Sequence, residues 1–187
     1  MKNGASDLTQ QVAELVGVSS RTIQLWAAAD VIKAWKTPGG HRRFPEAEVQ
    51  RLQRELGSES SGGRHTILVV EDEPDLQMLY RLSIESWNLP VDVVTAQDGY
   101  EGLLQIGLHK PQVVILDLMM PKTDGFRVLE VLGSSGELED SLVMAVSAMS
   151  EEEIRDRGGI PASITVYPKP IPFGAIRERV TEHLRDL

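Results

Sequence analysis

Short runs of apolar residues, separated by stretches of helical periodicity, set the tightest limit on how this chain folds. Ile67-Leu68-Val69-Val70, Val91-Asp92-Val93-Val94, Val113-Val114-Ile115-Leu116 and Leu142-Val143-Met144-Ala145-Val146 are almost wholly aliphatic. A strand with one wet face alternates apolar and polar residues, whereas a strand covered on both faces is apolar throughout. Helical patterns fall between and after these runs, at about 74–87, 99–108, 126–132, from Ser150, and finally to near Leu187. A fifth, short strand is expected around Ile164–Tyr167. Such alternation predicts an α/β domain: a five-stranded, doubly wound parallel sheet with helices on both faces. Ligands bind such sheets beyond the carboxyl ends of the strands.

Chemistry-bearing residues stand at those ends. Glu71 and Asp72 follow the first strand and Asp117 ends the third. If these strands are neighbours, three carboxylates converge in one crevice and raise one another's pKa unless a cation sits among them. A hard divalent ion with oxygen ligands suits the group, and Mg²⁺ is the natural candidate. The fourth strand ends at Ser147, a hydroxyl donor, and the fifth leads to Lys169 between Pro168 and Pro170. A carboxylate nucleophile, a metal, a hydroxyl and an ammonium together suit attack on a phosphoryl group. Any one of these residues alone has an ordinary reading, Asp72 as a cap ahead of Pro74 and Lys169 as a surface lysine. Asp124 is expected to turn the chain before the third helix, and Ser150 with Glu153 to form a capping box.

Val69-Val70-Glu71-Asp72-Glu73-Pro74, Ile115 to Pro121 with Asp124-Gly125, Val146-Ser147-Ala148 and Lys169-Pro170 occur in order, each on the expected element. Across residues 66–187 they resemble the response-regulator receiver family, with its flavodoxin-like fold. The resemblance implies that Asp117 accepts phosphate from a sensor histidine kinase. It implies that Glu71, Asp72, Asp117 and the backbone carbonyl of Met119 hold Mg²⁺, that Ser147 bonds a phosphoryl oxygen, and that Lys169 pairs with the phosphate. It also implies a cis Lys169–Pro170 bond. One departure is visible: the family usually carries an aromatic three residues before the lysine, and here Val166 stands there, with Tyr167 one position later.

Ahead of this domain, Gly57-Ser58-Glu59-Ser60-Ser61-Gly62-Gly63-Arg64-His65 has no apolar periodicity and reads as a linker over 58–65. It parts the charge as well as the chain. Residues 1–57 carry eight Lys/Arg against six Asp/Glu, and the remainder eleven against twenty-two, within a formal net charge of −9. A weakly basic head on an acidic body suits separate tasks, the head being the part able to meet nucleic acid.

Within residues 1–57, Thr9 is expected to cap a helix whose apolar stripe is Leu8, Val12, Leu15 and Val16. Gly17 turns the chain and Ser19 caps a second helix. Two short helices around a glycine turn form a helix-turn-helix, with Ile23 and Trp26 inward and Ser20, Arg21 and Gln24 toward a groove, Leu25 being a further outward candidate. Trp35 to Phe44 is read as a hairpin tipped by Pro38-Gly39-Gly40, so that Gly40, His41, Arg42 and Arg43 reach phosphates. A third helix follows from Pro45, with Val49, Leu52 and Leu56 apolar and Arg51 and Arg54 exposed. These residues resemble the winged helix-turn-helix of the MerR and excisionase-like families over about 7–55. Gln24 stands where the family often has arginine, and Asp30 where it often has glycine.

The chain has no cysteine, which excludes disulfides and thiolate metal sites. With 41% hydrophobic residues it can build a core, and no segment approaches membrane-spanning length. These features point to a cytoplasmic protein with no membrane partner. The expectation is a phosphoacceptor rather than an enzyme, whose switch controls binding of double-stranded DNA by the head, as a homodimer on activation. In a second reading the head docks onto protein instead. An aspartate-nucleophile phosphatase would need an acid two residues after Asp117, where Met119 stands.

Overall fold

The computed structural model describes residues 8–56, 64–121, 124–135 and 141–187. The chain divides into two compact units between Ser60 and Ser61. Residues 58–63 of the expected linker lie outside the described residues. Its last two residues are built into the second unit. Arg64 pairs with Asp92 at 2.8 Å, and His65 opens the first strand of the sheet.

The first unit comprises α1 (Leu8–Val16), α2 (Ser20–Ala28), a two-stranded ribbon of β1 (Trp35–Lys36) and β2 (Arg42–Arg43), and α3 (Glu46–Leu56). Val12, Ala13, Val16, Ile23, Leu25, Trp26, Ile32 and Leu52 form its buried core. The Ser19 hydroxyl accepts from the Thr22 amide at 3.0 Å, capping α2 as expected. Asp30 takes the left-handed conformation (φ 57°) that usually favours glycine. Four expectations from the sequence are corrected. Thr9 is buried within α1 instead of capping it, and Leu15 is exposed. Leu25 is buried, leaving Arg21 and Gln24 as the outward residues of α2, with Ser20 half-buried. Arg51 pairs with Glu48 at 2.7 Å and donates to the Val31 carbonyl, so it braces the unit. The side chains of Arg54 and Leu56 lie outside the described residues.

The second unit alternates β3 (His65–Val70), α4 (Pro74–Glu85), β4 (Val91–Ala96), α5 (Gly99–His109), β5 (Val113–Asp117), α6 (Gly125–Ser135), β6 (Leu142–Ser147), α7 (Glu151–Asp156), β7 (Thr165–Pro168) and α8 (Phe173–Arg185). The five strands are all parallel, in the order β4-β3-β5-β6-β7. On one face Ile67, Val69, Val113, Ile115, Met144 and Val146 pack with Tyr80 and Ile84 of α4 and Ile176 and Val180 of α8. Leu68, Val70, Leu116 and Ala145 alternate to the other face, also buried. There α5 approaches so closely that a Cβ on Gly102 would lie 2.9 Å from Val70. The order reverses between β3 and β5, so the crevice at their carboxyl ends is the topological switch point. Asp117 ends β5 there, and Glu71 and Asp72 follow β3.

Candidate functional site

The β3/β5 crevice is a cleft of about 490 Å³ lined by Glu71, Asp72, Glu73, Pro74, Asp117, Met119, Ala148 and Lys169. Carboxylate oxygens of Glu71, Asp72 and Asp117 lie within 4.8 Å of one another, with Glu71 and Asp117 buried and Asp72 half-buried. Lys169 follows directly on β7, and the Lys169–Pro170 bond after it is cis as expected. The Lys169 backbone N–H donates to the Ser147 carbonyl at 2.8 Å, tying the lysine to the end of β6. Its Nζ donates to Asp117 Oδ2 at 2.6 Å and to Glu71 Oε2 at 3.1 Å. The other Asp117 oxygen accepts from the Met119 amide at 2.8 Å.

One lysine does not offset this concentration of negative charge. Burial, and then the Asp117 carboxylate beside it, push the Glu71 carboxyl above its usual range in spite of Lys169. Burial works against the Lys169 ammonium, yet the hydrogen bonds and charges of Asp117 and Glu71 prevail and hold its pKa above the ordinary value. A cleft with three oxygen donors and residual negative charge fits a hard divalent cation.

Two features of the site are not legible from strand-end logic. Gln77, on the second turn of α4, donates through Nε2 to the Glu71 carbonyl at 2.6 Å and to the Ala96 carbonyl at 3.2 Å. It thereby ties the acidic loop to the end of β4. Its only sequence signal is an amide side chain six residues after Glu71. Gly125 is the second: a Cβ there would lie 2.5 Å from the Asp117 carbonyl oxygen. Asp124 is structural as read, accepting from the Phe126 amide at 3.0 Å and pairing with Arg157 at 3.3 Å.

Ser147 is buried at the end of β6, its Oγ accepting from the Met149 amide at 3.1 Å. The β6–β7 register pairs Val146 with Tyr167 and Ser147 with Pro168 without a bulge. Tyr167 therefore shares the face of Val146 and packs into the α4/α8 core, opposite in direction to Ser147. Val166 points to the face of Ser147. On that face of β7 an aromatic–hydroxyl coupling through Ser147 meets Val166 and no aromatic.

In the first unit, the α2 residues Arg21 and Gln24 are exposed, as are Gly40, His41 and Arg43 of the hairpin. The Gly40 amide donates to the Thr37 carbonyl at 2.8 Å and Thr37 to the His41 carbonyl at 2.9 Å, closing the turn. Gly40 has φ 81°, a conformation glycine adopts freely. Arg42 is half-buried, and alternation on a two-residue strand puts it on the opposite face from Arg43. The two arginines therefore project from opposite faces of the ribbon.

Residues 67–181 match the family model described as the response regulator receiver domain, and residues 9–57 match a helix-turn-helix domain model. The chain is 33% identical over 120 residues to the response regulator MprA of Mycobacterium sp. (strain KMS), an alignment covering 64% of this chain and 50% of that one. It is 29% identical over 118 residues to the probable C4-dicarboxylate response regulator DctR of Priestia megaterium, covering 63% and 51%. The chain thus spans about half the length of these curated relatives. Among solved structures, the receiver domain of Francisella response regulator 1452 superposes with a TM-score of 0.56 at 25% identity, covering 66% of this chain and 98% of that one.

Proposed function

Because this chain belongs to the response-regulator receiver family and carries a helix-turn-helix domain at its N-terminal end, we propose that Asp117 takes a phosphoryl group from a sensor histidine kinase and that the switch governs DNA binding by residues 1–57. The observation that carries the first half is the Asp117 carboxylate, buried yet lining an open cleft, with the Lys169 ammonium 2.6 Å away. A carboxylate oxygen of Asp117 attacks phosphorus, a P–O bond forms, and the P–N bond to the kinase imidazole breaks. Glu71, Asp72 and Asp117, with the Met119 carbonyl by resemblance, would hold Mg²⁺, which supplies positive charge against the phosphoryl oxygens. Lys169 takes up charge on the transferred group, and the Ser147 hydroxyl becomes a donor to one of its oxygens.

In this reading the protein is a phosphoacceptor, with self-dephosphorylation as its only turnover. Met78, Leu79 and Leu82 leave an exposed apolar strip on α4, the helix that starts beside the cleft, and this supports docking of a kinase there. The DNA half rests on the exposed Arg21, Gln24 and hairpin residues, of the MerR-like kind. A homodimer reading two half-sites would raise the affinity of so small a reader. No helix among the described residues is long and apolar enough to cross a membrane.

Selection of duplexes from a random pool, with protein treated or not treated with acetyl phosphate and Mg²⁺, tests the whole reading. Recovery of a shared sequence whose enrichment changes on phosphorylation is the expected result. No enrichment in either state, with the same protein capturing a protein partner through residues 1–57, would favour the docking-module alternative.

A further inference from the structure

The ribbon of the first unit carries an aromatic residue that the DNA-binding reading has not used. Trp35 is 55% exposed, while the other two tryptophans, Trp26 and Trp87, are buried. A large ring left in water is costly unless something covers it in the working complex. Trp35 pairs across the ribbon with Arg43, and Lys36 with Arg42. Side chains of a directly opposed pair share a face, so the Trp35 ring and the Arg43 guanidinium project together. Trp35 and Lys36 are both exposed, Arg43 is exposed and Arg42 half-buried, so the Trp35/Arg43 face is the more open of the two.

Charge says what covers it. From Val31 to Pro45 the chain has Lys33, Lys36, Arg42 and Arg43 and no acid. Lys36, Arg42 and Arg43 form no ion pair among the described residues. Unpaired cations around an exposed indole complement a surface that alternates phosphate with flat apolar sugar and base. An acidic protein surface lacks that alternation.

We propose that Trp35 and Arg43 together form the contact the ribbon makes with duplex DNA, the indole packing on a deoxyribose at the groove edge and the guanidinium holding the adjoining phosphate. The proposal rests on the DNA-binding reading and deepens it. It divides the work of the basic segment: Arg43 supplies an electrostatic contact, Trp35 a salt-independent one, and Arg42 less of either.

Anisotropy titrations of the full chain into a fluorescein-labelled mixed-sequence duplex of about 30 base pairs, at several salt concentrations, test this. Trp35→Ala is expected to weaken binding about tenfold, the effect of leaving one apolar ring face uncovered, with an unchanged salt slope. Trp35→Phe should keep most of the affinity. Arg43→Ala should weaken binding and reduce the salt slope by about one, and Arg42→Ala should do less. In the parent chain, duplex should also shield Trp35 emission from acrylamide, a measurement that needs no variant. Parent-like binding by Trp35→Ala, or quenching that duplex leaves unchanged, overturns the proposal while leaving DNA binding in place. A parent chain that binds no duplex overturns the DNA reading itself, and the proposal with it.

Discussion

Lys169 bridges two buried acids, and its removal leaves Glu71 and Asp117 facing each other uncompensated. Lys169→Met is expected to cost about 2 kcal/mol in metal-free protein, and millimolar Mg²⁺ to recover part of that, as read by urea unfolding with and without the ion. Equal stability of variant and parent without metal would contradict the pairing. Gly125 has no room for a methyl group beside the Asp117 carbonyl, so Gly125→Ala should cost about 2 kcal/mol or more. It should also slow labelling of Asp117, since the β5 loop must shift. Burial lowers the pKa of His109 at the end of α5. A depressed folded-state pKa means stability that is present above pH 6.5 and lost as pH falls through the histidine range. His109→Gln should therefore lose less stability than the parent between pH 7.5 and 5.5 in thermal unfolding. At this scale the acids, Ser147 and Lys169 were legible because strand ends are marked by where apolar runs stop. Gln77 and Arg51 were not, because each depends on a partner from a distant segment.

The elements themselves were largely legible, and their ends less so. The periodicity of α4, α5 and α8 and the aliphatic runs of β3, β5 and β6 survive in the fold because burial on both faces demands them. Helix ends follow local chemistry only where a cap is satisfied. Ser150 accepts from the Glu153 amide while the Glu153 carboxylate accepts from the Ser150 amide, the capping box read from the sequence. Ser150→Ala should cost about 1 kcal/mol and speed amide exchange in α7 first; uniform exchange would show that the cap does not hold the helix. Thr9 offered the same kind of signal and failed, since α1 begins at Leu8 and draws Thr9 into its buried side. The start of β3 was misplaced by the composition of the linker. Register with Val91 and the Arg64–Asp92 pair extend the strand into residues that lack apolar pattern. Tyr167 belongs to the α4/α8 core, so Tyr167→Ala should cost about 2 kcal/mol in denaturant unfolding, while Val166→Ala should cost less.

At the scale of the whole chain, a weakly basic head and an acidic receiver are joined through a segment rich in glycine and serine, a charge division that suits the proposed DNA partner of the head. Mg²⁺ bound by the native cleft alone should raise the unfolding temperature of the chain by mass action; Glu71→Ala should remove most of that gain. All of this depends on Asp117 taking up a phosphoryl group, and chemical labelling measures that directly. Incubated with acetyl phosphate and Mg²⁺, the chain should gain one phosphoryl group, stable to acid and released by hydroxylamine, with peptide mapping placing it on Asp117 and with no gain in Asp117→Asn. An unlabelled parent chain, or a label that persists in Asp117→Asn, would contradict the account.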